Sequence, residues 1–136
     1  MFGKKKQPPI KSLIAQGTTI KGNFKFTDGL RIDGAVIGSI HAVEASASIL
    51  VISESATVTG AIHAIHADHV IVNGRVIGPV HAAELLELQP KARIDGDIFY
   101  KALEMHQGAA VFGQLRPATH VEIEEKPVLK LATSKF

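Results

Sequence analysis

The sequence predicts an all-β protein whose chain winds into a parallel β-solenoid with a triangular core. Three observations carry this expectation. The segment RIDGAVIGSIHAVE at 31–44 returns as IVNGRVIGPVHAAE at 71–84 with half of its positions unchanged. A five-residue unit, apolar-x-Gly-x-apolar, occurs six times, and its glycines fall 16, 22, 18, 18 and 17 residues apart. Between the units, apolar residues alternate with polar ones instead of recurring at i, i+3, i+4, which excludes helical repeats and points to short strands.

The six units are Ile20–Phe24, Val36–Ile40, Val58–Ile62, Val76–Val80, Ile94–Ile98 and Val111–Leu115. A small residue (Thr18, Gly34, Ala56, Gly74, Ala92, Ala109) stands two positions before each. Further alternating segments, Leu30-Arg-Ile32, Val70-Ile-Val72, Leu86-Glu-Leu88 and Leu103-Glu-Met105, lie between them. A winding of about eighteen residues therefore divides into three strands. Asp28-Gly29, Asp33-Gly34 and Asn73-Gly74 offer tight corners. Rungs ~4.8 Å apart make six windings a rod on the order of 25 to 30 Å long. Alternation places Val76 and Val80 inward, Gly78 inward between them, and Ile77 and Pro79 outward. The 22-residue interval predicts a small loop near residues 45–48.

Composition agrees. Of the 136 residues 46% are hydrophobic, but there is no Trp and one Tyr, so the core must be β-branched and aliphatic. The absence of cysteine excludes disulfides and thiolate metal sites. Neither a signal-peptide h-region nor an apolar stretch of membrane-spanning length is evident, which predicts a cytoplasmic chain. A net charge of +2, without a basic face studded with aromatics, argues against nucleic acid. No Gly-rich strand-to-helix phosphate cradle is present, so no nucleotide or other cofactor is expected.

These motifs resemble bactofilins. The resemblance rests on the six ordered units, a loose Ile-x-Gly opening at 14–22, the Gly-Ala-x-x-Phe-Gly close at 108–113 and the N-terminal Met-Phe-x-Lys, and it covers about residues 13–116, with the β-helix itself expected over 14–116. It implies a right-handed β-helix flanked by disordered tails. It also implies a non-enzymatic scaffold that polymerises end to end without nucleotide and lies on the inner face of the cytoplasmic membrane. There it would organise cell-wall enzymes and cell-shape machinery. The tails would be residues 1–13, basic and flexible, and 117–136.

A solenoid exposes an unpaired rung at each end, and no amphipathic capping helix is apparent in the sequence. The expected polymer interface comprises Ile20 at one end and Val111, Phe112 and Leu115 at the other. Phe112 draws particular notice, because the same ladder position in other windings holds Lys21, Ile37, Thr59, Ile77 and Asp95. It either folds over the core end as a lid or packs against a second copy. In the N-terminal tail, Phe2 with Lys4, Lys5 and Lys6 is suited to an anionic leaflet, and many copies on one polymer would multiply a weak contact.

His41, His63 and His81 are expected to stack outward in one ladder with Lys25, Phe99 and Arg116, and the His63–His69 stretch carries donors at strand spacing. With no convergent carboxylate or pocket to be read, no metal site is expected. The enzymatic alternative is a left-handed hexapeptide-repeat acyltransferase using a His base and acyl-CoA, since positions 70, 76, 82, 88 and 94 keep a six-residue beat. Ile71 and Ile77 break that family's pattern, and no substrate loop is long enough. A monomeric adaptor binding along Ile37 and Ile77 is a third reading.

Overall fold

A computed structural model describes residues 10–43, 48–64 and 69–117. Among these residues there are eighteen short strands, β1 to β18 in chain order, and no helix. They form three parallel six-stranded sheets. The first sheet contains β1 (Ser12–Ile14), β4 (Gly29–Ile32), β7 (Ile49–Ile52), β10 (His69–Val72), β13 (Leu85–Leu88) and β16 (Ala102–Met105). The second contains β2 (Thr19–Lys21), β5 (Ala35–Ile37), β8 (Thr57–Thr59), β11 (Arg75–Ile77), β14 (Arg93–Asp95) and β17 (Ala110–Phe112). The third contains β3 (Phe24–Phe26), β6 (Ile40–Ala42), β9 (Ile62–Ala64), β12 (Val80–Ala82), β15 (Ile98–Tyr100) and β18 (Leu115–Pro117). The chain visits the three sheets in turn, so one circuit makes one rung and every sheet is stacked from successive rungs.

The glycine beat is the register of the second and third sheets. Ile20 pairs with Val36, Val36 with Val58, Val58 with Val76, Val76 with Ile94, and Ile94 with Val111. The four middle members of this ladder are fully buried. So are Ile40, Ile62, Val80 and Ile98 in the third sheet and Ile32, Ile52, Val72 and Leu88 in the first. Identical positions stacking on themselves make one continuous aliphatic core, and β-branched residues suit it because each packs on a like shape above and below.

Each five-residue unit straddles a corner: Val76 ends in the second sheet and Val80 begins the third. Gly78 sits at that corner with φ of +144°. The expectation that it points at the axis is corrected. A Cβ there would lie 2.3 Å from the carbonyl oxygen of Gly60 in the rung before, so the missing side chain serves the approach of stacked corners.

The Asp-Gly and Asn-Gly pairs act differently from the simple corner expectation. In Asp28-Gly29 the aspartate itself takes the left-handed conformation, with φ of +62°. Gly74 has no such φ; a Cβ there would lie 2.2 Å from the Ser53 carbonyl oxygen. The equivalent Ala56 and Ala92 are buried, so the requirement at this corner is for smallness.

Extra length lies between the third and first sheets. The loop expected near 45–48 falls between β6 and β7, and residues 44–47 are outside the described residues. The interval between β9 and β10 is also lengthened.

Candidate assembly surface

All three sheets end on the same rung. Strands β16, β17 and β18 are the outermost strands of their sheets at the C-terminal side, as β1, β2 and β3 are at the N-terminal side. Among the described residues, each end therefore presents three edge strands and the cross-section of the core. Pro117, which has no N–H to offer, lies on the edge strand β18.

The two ends differ. At the C-terminal rung the core ladders run out into solvent: Met105 is 45% exposed although Leu88 beneath it is fully buried, and Leu115 is 46% exposed above a fully buried Ile98. Val111 and Leu103 are half-buried against the same core. At the N-terminal rung Ile20 is half-buried, while Ile14 and Phe26 are nearly enclosed. Ser12 and the exposed Leu13 complete β1.

Of the expected interface residues, Val111, Phe112 and Leu115 thus share one rung and Ile20 lies at the other end. Sequence reasoning passed over Met105 and Leu103. Their signal was available, because Leu103-Glu-Met105 aligns with Leu86-Glu-Leu88 one winding earlier, and no further glycine unit follows Val111–Leu115.

Phe112 lies in the expected outward ladder, above Asp95. It is 63% exposed, so it stands off the end instead of closing it as a lid. Ile37 and Ile77 on this ladder are also exposed, separated by Thr59.

The histidine ladder has the expected register: Lys25 pairs with His41, His41 with His63, His63 with His81, His81 with Phe99, and Phe99 with Arg116. The His81 and Phe99 rings stack at 4.2 Å with planes 7° apart, and the Arg116 guanidinium lies 5.7 Å from the Phe99 centroid. This is a stacked surface column with a cation on its last aromatic. His66 and Asp68, two donors of the His63–His69 stretch, lie outside the described residues. His69 instead faces Glu87, its Nε2 3.1 Å from Glu87 Oε1.

Glu87 is the centre of a polar group on the outer face of the first sheet. It accepts from Gln89 Nε2 at 3.3 Å, and His106 Nε2 lies 3.3 Å from Glu87 Oε2 and 3.5 Å from Glu104 Oε2. Partial burial would raise its carboxyl pKa, but hydrogen bonds from Gln89, His69 and His106 outweigh this and hold it below the usual value. A second polar group joins neighbouring rungs at Asp33. Its carboxylate accepts from the Ser53 hydroxyl and, at 2.9 Å, from Arg31 Nε, and these partners lower its pKa against the opposing effect of burial.

A rod of stacked parallel rungs, whose core ladders end in exposed side chains among the described residues, defines the class as a β-solenoid repeat protein, in which each rung is stabilised by the next. The bactofilin family model, described as polymer-forming cytoskeletal, matches residues 12–116, and the chain belongs to that family. It is a polymer-forming cytoskeletal protein of structural type. No curated protein and no solved structure matches the chain. Among the described residues, no helix is long and apolar enough to cross a membrane.

Proposed function

We propose that this protein polymerises end to end through its terminal rungs, without nucleotide, as a non-enzymatic scaffold on the inner face of the cell membrane. The observation that supports it is the abrupt opening of the core at the last rung, where Met105 and Leu115 lie uncovered above fully buried neighbours. A second copy set on that rung continues the three sheets and removes those side chains from water. Each backbone hydrogen bond so formed adds roughly 0.5–1.5 kcal/mol net. Phe112, beside the opening, packs against its counterpart when two C-terminal ends meet. Val111 and Leu115 belong to this contact, and Ile20 to the contact at the opposite end.

Assembly of this kind needs only two open ends, so it needs no nucleotide cycle. Phe112→Arg tests it by placing a charge beside its own copy in the joint. Negative-stain microscopy of the purified full chain without nucleotide should show filaments, and the variant should give short or no filaments while keeping a β-rich circular dichroism spectrum. Filaments of undiminished length in the variant would remove Phe112 from the interface.

Membrane attachment is assigned to Phe2, Lys4, Lys5 and Lys6, which lie outside the described residues. Three lysines, worth about 1 kcal/mol each near an anionic surface, together with one aromatic bind weakly as a single copy and firmly as an array. A chain starting at Gln7 should lose flotation with anionic liposomes. If it floats equally well, attachment does not reside there. The role at the envelope, recruiting cell-wall enzymes or their anchors, is the part of the proposal that rests on the family alone.

A further inference from the structure

The two outermost rungs carry a stacking conflict on the first sheet. Glu87 in β13 pairs directly with Glu104 in β16, so two carboxylates stand one above the other at the spacing of adjacent strands. Like charges directly across a ladder are destabilising. His106, just after β16, is drawn over them, with Nε2 3.3 Å from Glu87 Oε2 and 3.5 Å from Glu104 Oε2. One ligand atom from each of these three residues falls within 4.8 Å of the others. We infer that Glu87, Glu104 and His106 form a binding site for a divalent transition-metal ion of the zinc type, clamping the last rung to the one beneath it.

The geometry suits such an ion. Ligand atoms at ~2.0–2.1 Å from a tetrahedral zinc stand about 3.3–3.4 Å apart, close to the two His106 distances. The donor set is one imidazole and two carboxylates, which favours zinc or cobalt over the all-oxygen shells of calcium and magnesium.

The surroundings also have the form that orients a metal ligand. Glu87 is the most enclosed of the three, its side chain 16% exposed. Its Oε1 is held by His69 Nε2, and its Oε2 faces His106 while also accepting from Gln89 Nε2 at 3.3 Å. A carboxylate pinned by a histidine on its far oxygen is the outer-shell arrangement that fixes metal ligands elsewhere. His69 comes from β10 and belongs to the rung below, so the site spans three rungs.

Three protein ligands leave a fourth position for water. A cation here would replace the repulsion between the stacked glutamates with a bridge. It would fasten β16, which carries the half-buried Leu103 and the exposed Met105. The metal would thus order one edge of the C-terminal end.

Titration of the chelator-stripped full chain with Zn²⁺ by calorimetry, and with Co²⁺ by visible absorption, tests the assignment. One ion per chain is expected, with a cobalt spectrum of tetrahedral intensity. Glu104→Gln and His106→Gln should each weaken binding at least tenfold. His69→Asn, a change in a positioning residue, should weaken it roughly 10–100-fold. Zn²⁺ should raise the melting temperature of the natural chain and leave that of Glu104→Gln unchanged. Glu104 is largely exposed, so that variant keeps its fold, which circular dichroism verifies. Failure to saturate at one ion per chain overturns the inference. So does binding that survives Glu104→Gln and His106→Gln but falls on His81→Asn, which would place the ion on the histidine ladder.

Discussion

A methyl group at Gly78 has nowhere to go. It would meet the Gly60 carbonyl oxygen at 2.3 Å, and φ of +144° disfavours any side chain. Gly22 at the first rung shares a positive φ, but nothing lies within 4 Å of its would-be Cβ. Gly22→Ala should therefore cost backbone strain alone, about 1–3 kcal/mol, whereas Gly78→Ala adds a backbone clash that two rungs must move to relieve. Melting followed by circular dichroism should show the larger loss for Gly78→Ala; equal losses would mean that rung-to-rung contact at the corners is unimportant.

Asp33 gives a pH prediction of definite sign. Its folded pKa lies below the unfolded value of about 3.9, so the stabilisation it contributes is complete above that value and is lost as pH falls through the folded one. Ser53→Ala removes the main cause of the shift. The variant should be less stable than the natural chain at neutral pH, with the difference shrinking below about pH 4. Denaturation curves at the two pH values check this, and a difference that grows in acid would contradict it.

At the scale of the strand, burial depends on rung number more than on residue type. Ile94 in β14 is fully buried between rungs, and Val111 in β17, next in the same ladder, is half-open. Ile94→Ala should cost roughly 2–5 kcal/mol, because it leaves a cavity with packed walls. Val111→Ala should cost distinctly less in a dispersed chain, and the two should approach each other once assembly covers the last rung. Denaturation below and above the concentration at which polymers form separates these cases.

This dependence also explains what the sequence could show. The second and third sheets were legible because their glycine corners keep time, from Gly22 to Gly113. The first sheet was legible in four of its six strands: Ser12–Ile14 comes before any earlier rung it could repeat, and Ile49–Ile52 lies in the 22-residue interval that shifts the beat. The histidine ladder was legible, since identical offsets stack identical residues. The group around Glu87 was not, because His69, Glu87 and His106 meet diagonally across three rungs whose lengths differ. Such a meeting depends on register as well as period.

For the whole molecule, the decisive contrast lies between its ends and its sides. The sides carry dispersed ion pairs, among them two exposed ones, Arg75 with Asp95 at 3.5 Å and Arg116 with Asp97 at 3.4 Å. Exposed pairs contribute little and are screened, the Debye length falling from about 10 Å at 0.1 M salt to about 3 Å at 1 M. The C-terminal end offers Leu103, Met105, Val111 and Leu115 with a triple row of backbone edges, and neither apolar burial nor backbone pairing weakens with ionic strength. End-to-end polymers should therefore persist from low salt to ~1 M NaCl, and sulfate should favour them further. Side-by-side bundling through charged faces should be lost over the same range. Replacing the uncovered core residues by Met105→Glu and Leu115→Glu together should abolish elongation at every salt concentration, because two buried carboxylates would then have to enter the joint unpaired. Light scattering with parallel microscopy distinguishes length from bundling. Polymers that dissolve at high salt, or that tolerate both glutamates, would show that the sides and not the open core hold the filament together.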